Sequence, residues 1–373
     1  MTREDRELRE LRELRESRPD YGGRYDGDRY DSDRYDSDRY DVVIVGGGPA
    51  GLSAALMLGR ARRSVLVIDA GEPRNAPAAH MHGFLSRDGA PPGDLLAAGR
   101  REVAAYGVEV RAGRARSAVR DGGLFAVTDD AGRTVRARRL LLTTGFTDEL
   151  PDVPGLARRW GRDVLHCPYC HGWEVRDAPI GVLATGPMGV HQALLFRQWT
   201  DRLTLLLHTG PHPTDEESEQ LAARGIAVVP GEVTGLEITD DRLTGVRLGT
   251  GEVLPLQALT VAPRAVPGAT TAALLDSLGL APTEHPSGMG SHLAAGPAGL
   301  TDVPGVWAAG NAADLTANVL GSAASGSAAA GAINADLVAE DTRRAVRARK
   351  DPFSAASEAR VCELVAGDRR HGL

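Results

Sequence analysis

Short apolar runs that end in glycine or an acid recur along this chain and predict buried strands. The first, Val42–Val45, leads through glycines into the apolar helical stretch PAGLSAALMLGRA, and a second, Val65–Ile68, ends at Asp69. Strand, glycine turn, helix and strand in that order predict the opening βαβ unit of a parallel sheet. VEVRAGRARSAVR, LFAVTDD and TVRARRLLLTTG follow, joined by DG and AG turns. They predict an antiparallel excursion that returns to the sheet at Leu140–Thr143. The pattern then repeats: PIGVLATG, PMGVHQALLFRQW and LTLLLH, then the strand-rich IAVVPG, VTGLEIT and GVRLG. A late strand, Val306–Ala309, carries Gly310 and Asn311 at its end. After it comes SAASGSAAAGAINADLVAED, a helix whose small residues imply a close neighbour. The expected fold is α/β, with two Rossmann-like domains of three-layer type, the second inserted in the first. Residues 41–156 and 268–346 form the outer domain and 157–267 the inserted one, with the Pro-rich DELPDVPG as the crossover.

The ends follow other rules. Residues 1–40 carry RELRELRELRE and a five-residue Asp-Arg-Tyr repeat, and residues 347–373 form a polar tail. Alternating charge without an apolar face cannot offset ordering entropy, so disorder is expected for the first forty residues. The 43 basic and 50 acidic residues leave a net charge of −7. That balance argues against nucleic acid or an anionic membrane as a partner. No stretch has the pattern of a signal peptide or a membrane span, so the expected compartment is the cytoplasm.

Two segments carry chemistry. Gly46, Gly48 and Gly51, with Pro49 and Ala50 between them, match the dinucleotide fingerprint. They would give a tight turn, a bare approach for a pyrophosphate and close helix–strand packing. Asp69, eighteen residues after Gly51, is placed to accept from a ribose hydroxyl. The second segment is Cys167-Pro-Tyr-Cys170-His171-Gly172. Two cysteines three apart can close a small disulfide ring whose attacking thiolate is activated by its surroundings. The alternative, half of a zinc site flanked by His166 and His171, lacks a second cysteine pair, so no metal is expected. His171 is the candidate proton-transfer group, because imidazole titrates near neutrality.

GGGPAG, the cysteine pair near the start of the inserted domain and the late VPGVWAAGN..D segment together resemble the low-molecular-weight thioredoxin reductase family, from Asp41 to about Asp341. The resemblance implies FAD on the outer domain, held by Gly46, Gly48, Gly51, Asp69, Gly310, Asn311 and Asp314. It implies NAD(P)H on the inserted one, and a homodimer. It assigns flavin contact to Cys170 and substrate exchange to Cys167. Four departures stand out. Asn311 replaces the usual acid, His171 stands where the family has an aspartate, and Ala184, Gly186 and Gly189 leave the second glycine signature without its first glycine. His208-Thr209-Gly210, followed by Asp215, Glu216 and Glu217, replaces the basic run that binds a 2′-phosphate, which leaves NAD(P)H use in doubt. CPYCHG is similar to the family's FAD-dependent dithiol oxidase-like subgroup. The expected function is thus oxidation of a small-molecule dithiol with molecular oxygen as acceptor. The alternatives are an NAD(P)H-dependent reductase of a thioredoxin-like protein disulfide and a non-catalytic flavin-binding sensor.

Overall fold

The computed structural model describes residues 38–350 and 355–368. The charged extension up to Ser37 lies outside them. Its last residues already belong to the fold, because β1 (Arg39–Val45) starts two residues before the expected boundary. Tyr40 is held there by donating its hydroxyl to the Glu109 carboxylate at 2.5 Å.

The first sheet has the order β3-β2-β1-β6-β5-β4. Its strands are β1, β2 (Val65–Asp69), β3 (Glu109–Ala112), β4 (Ala115–Asp121), β5 (Leu124–Asp129) and β6 (Thr134–Leu142). β1, β2, β3 and β6 run parallel, while β4 and β5 form the antiparallel excursion. β6 pairs with β1 along one edge, and its other edge is divided between two partners. Thr134–Ala137 pairs with β5, whereas Leu140–Leu142 pairs with the late strand Val306–Ala308. Helices α1 (Pro49–Arg60) and α2 (Pro92–Ala104) cover one face, with Val42, Ile44, Val65 and Val67 pointing at them. Val43, Val45, Leu66 and Ile68 point the other way, into a core with Phe125, Val127 and Leu274. A strand buried on both faces has to be apolar at every position, which is why these runs do not alternate.

The second sheet is parallel, in the order β10-β9-β8-β11-β7. Its strands are β7 (Val164–Leu165), β8 (Ile180–Leu183), β9 (Leu203–Leu206), β10 (Ala227–Val229) and β11 (Ala258–Val261). Helix α3 (Gly189–Phe196) packs on it through Ala193 and Phe196. Between the two sheets the chain passes through Thr147–Glu149 and Arg264–Val266, which pair as an antiparallel ribbon. The two sheets are the two expected Rossmann-like units.

Helix α4 (Val319–Lys350) runs further than its apolar pattern suggests, and Ala355–Asp368 is also helical, so the described part of the expected tail is ordered as helix. The small residues of α4 meet α1: a methyl on Gly326 would lie 2.0 Å from the Ala50 carbonyl oxygen. At its polar end, Asp336 and Glu340 bind Arg139 while Asp341 binds Arg63 and Arg138. This ion-pair cluster fastens the helix to β6.

Candidate active site

The turn after β1 is built by backbone that approaches backbone. Gly46 sits at φ +105°, where a side chain is strained, and a methyl there would lie 2.3 Å from the Thr143 carbonyl oxygen. A methyl on Gly51 would lie 1.9 Å from the Gly46 carbonyl. Gly48 faces open space. It precedes Pro49 at the first position of α1, so the helix presents free amides with no acid in its first turn. Asp69 accepts from the Gly47 amide at 3.0 Å and from Arg100 at 2.8 Å. Gly47, Thr143 and Arg100 escape the fingerprint. Gly47 was visible as the middle glycine of GGG, whereas Arg100 had no local signal.

This turn opens on a cavity of about 720 Å³ that is also lined by Cys167, Cys170 and His171. Gly310 and Asn311 reach it from the other side. Gly310, at φ +65°, is bare because a methyl would meet Ala50 at 2.9 Å, and its amide donates to Ser325 Oγ at 2.9 Å. Asn311 donates to the carbonyls of Asp314 and Ala317, at 3.0 and 2.8 Å. Asp314 is not among the lining residues. Its carboxylate accepts from the Thr316 amide and hydroxyl, at 2.9 and 2.7 Å, and so caps the loop. The bare Gly48, the free amides of α1 and a volume within the range of small-molecule sites suit a dinucleotide such as FAD.

Cys167 and Cys170 form a disulfide with Cα atoms 5.2 Å apart. Cys167 precedes the short helix Pro168–His171, and its carbonyl accepts from the amides of Cys170 and His171 at 3.2 Å. Gly172 lets this turn close, since a methyl would lie 2.4 Å from the Pro168 carbonyl and 2.9 Å from the Trp199 ring. Tyr169 meets Trp199 edge-on at 5.7 Å. His171 Nε2 is buried without a hydrogen-bond partner, and burial pushes the imidazole pKa down. His166 is also pushed down, by burial and by Arg74, and its Nδ1 lies 3.2 Å from the Val261 carbonyl. Arg74, which the sequence did not single out, makes a two-pronged pair with Asp148 at 2.8 and 2.9 Å. Among the described residues no three His, Cys, Asp or Glu side chains gather as a metal site, and no helix is long and apolar enough to cross a membrane.

The family model of the pyridine nucleotide-disulphide oxidoreductases matches residues 40–332. The chain belongs to this family. Within it, the chain resembles proteins named thioredoxin reductase. It is 31% identical to thioredoxin reductase sirT of Leptosphaeria maculans, over 80% of this chain and 94% of that protein. It is 40% identical to thioredoxin reductase tcpT of Claviceps purpurea, over 41% of this chain and 49% of that one. The match thus spans about half the length, or less, of several curated relatives. The crystal structure of HlmI superposes with a TM-score of 0.77 at 47% identity, covering 83% of this chain and 95% of that one.

Family membership corrects the doubt about NAD(P)H, because the matched region takes in both sheets of a family that couples a pyridine nucleotide to a disulfide. One physical ground of that doubt also weakens, because Asp215, Glu216 and Glu217 do not form an acidic loop. They are the first turn of a helix, where Thr214 and Glu217 close a reciprocal capping box at 3.2 and 2.8 Å. Acids at a helix N-terminus are explained by the helix itself.

Proposed function

We propose that the protein is an FAD-dependent disulfide reductase that draws electrons from NAD(P)H and delivers them through Cys167 and Cys170 to a thioredoxin-like protein or a small-molecule disulfide. The observation that carries this reading is the opening of the Cys167–Cys170 disulfide onto the same cavity as the Gly46–Gly51 turn. FAD bound there supplies a two-electron relay between nicotinamide and disulfide. Residues 41–156 and 268–346 hold the flavin and residues 157–267 the nicotinamide nucleotide. Gly46, Gly48, Pro49, Ala50 and Gly51 cradle the pyrophosphate, Asp69 holds the ribose side, and Gly310 and Asn311 line the flavin side. Cys170 faces the flavin, Cys167 exchanges with substrate, and His171 moves the proton.

Anaerobic mixing with NADPH and with NADH, followed by flavin absorbance, tests the reading. One of the two should bleach the flavin and support reduction of an aromatic disulfide, and Cys170→Ser should stop disulfide reduction while leaving the bleaching. No bleaching by either nucleotide overturns it.

A second reading is oxidation of a small-molecule dithiol with oxygen as acceptor. It is favoured by the burial of His171, which lowers its pKa and so enlarges the share of the uncharged, proton-accepting ring. A neutral base takes a proton from a thiol more readily than it gives one to a thiolate. Dithiol-dependent peroxide formation without added nucleotide would support that direction.

A further inference from the structure

The loops that follow β2 and β3 line the same large cavity as the disulfide turn. The two strands are parallel neighbours, with Asp69 opposite Ala112 at their carboxyl ends. Ligands of open α/β sheets bind beyond that edge. Here the two loops are joined twice. The Gly113 amide donates to the Asp69 carbonyl at 3.0 Å. Farther along both loops, Arg114 Nη2 lies 2.5 Å from Glu72 Oε1. Asp69, Ala70, Glu72, Gly113 and Arg114 all line the cavity.

The two sides of the ion pair differ in firmness. The backbone of Arg114 is fixed, because its carbonyl accepts from the Asp130 amide at 2.8 Å. The Glu72 side is looser: its side chain is 71% exposed, and Gly71 before it turns at φ +74° in open space. The Arg114 guanidinium holds the Glu72 carboxylate and keeps its pKa below the ordinary value. An exposed pair of this kind contributes little free energy, so it opens and closes readily. When it opens, the permissive backbone at Gly71 lets the Glu72 loop swing while Arg114 stays in place.

We propose that Glu72 and Arg114 form a clasp across the adenosine end of the cavity that gates uptake and release of FAD. The proposal rests on the reading that FAD occupies this cavity with its ribose at Asp69. The adenosine then lies between the two loops, and the ion pair closes the gap between them. FAD passes this end only while the pair is open. Breaking the pair therefore quickens exchange in both directions.

The test uses the full chain as wild type, Glu72→Gln, Arg114→Gln, the double variant, and the charge swap Glu72→Arg with Arg114→Glu. Release is read from free-flavin fluorescence after dilution, and uptake from its quenching when FAD is added to apoprotein. Each single variant should quicken both rates about threefold or more. The double variant should match the single ones, because the same interaction is lost in all three. The charge swap should return both rates towards wild type. Raising NaCl from about 0.05 to 0.5 M should quicken exchange in the wild type and leave the double variant unmoved. Unchanged rates in either single variant overturn the clasp. Faster release without faster uptake also overturns it, because the side chains would then hold FAD by direct contact. A wild-type chain that takes up no FAD overturns the flavin reading, and the clasp with it.

Discussion

The turns after β1 and after β8 are built on one plan from different material. In the first, bare backbone meets bare backbone: Gly51 lies against the Gly46 carbonyl, and Gly46 against that of Thr143. In the second, a side chain fills the gap. The Ala184 methyl stands where methyls on Gly189 and Gly210 would come within 2.6 and 2.8 Å. The strand ends differ as well. Asp69, at the end of β2, accepts from the turn after β1 through Gly47, whereas His208, in left-handed backbone at φ +43°, accepts from the Val233 amide at 3.1 Å. A glycine missing from a signature therefore does not mean that the turn is missing. The glycines opposite it have taken over the clearance, which is why the second turn coexists with membership of a nucleotide-using family.

The largest effect should come from the turn that has no slack. Gly46→Ala adds a methyl into the Thr143 carbonyl at a positive φ and should cost about 3 kcal/mol or more, read as a lower urea midpoint together with loss of bound flavin. The second turn should respond more selectively. Ala184→Val drives two further carbons against Gly189 and Gly210, at a cost of about 1–3 kcal/mol. Flavin content should be unchanged, while the KM for the reduced nicotinamide nucleotide rises about tenfold or more. Equal flavin loss in both variants would erase the distinction between the turns.

The smallest effect concerns His208. Burial lowers its pKa from the ordinary 6.5, so the unfolded chain binds the proton more readily than the folded one. Stability from this group is therefore complete above about pH 6.5 and is lost as pH falls from there towards the lower folded value. Protonation also removes the acceptor that Val233 uses. His208→Gln keeps an acceptor without titrating, and should flatten the stability profile between pH 6.5 and 5 by about 1 kcal/mol or less.

What was legible in the sequence was whatever one local segment decides. Val42–Val45 with its glycines, the cysteine pair and the returning strand at Leu140 all declare themselves through periodicity or backbone demand. What was not legible depends on partners distant in sequence. Arg100 reaching Asp69, Arg74 holding Asp148 and His82 meeting Glu174 leave no trace in any window around either residue. The acidic run at 215–217 was misread for a related reason. Three adjacent acids look the same in a loop and in a capped first turn, and only the Thr214–Glu217 reciprocity distinguishes them.

The divided strand β6 has a consequence for the order of assembly. Its Thr134–Ala137 half finds β5 within a hairpin, but Leu140–Leu142 must wait for Val306–Ala308, more than 160 residues later. During synthesis, every strand of the second sheet therefore leaves the ribosome while the first still has an open apolar flank. α4, which covers α1 through Gly326, arrives later still. Such a late, non-local closure slows folding and leaves strand edge and apolar helix surface exposed meanwhile. Truncation before residue 306 should thus yield a chain with a complete second sheet and an aggregating first half. The nascent chain is thus most prone to aggregate in the interval before its last parallel strand and α4 have joined the first sheet.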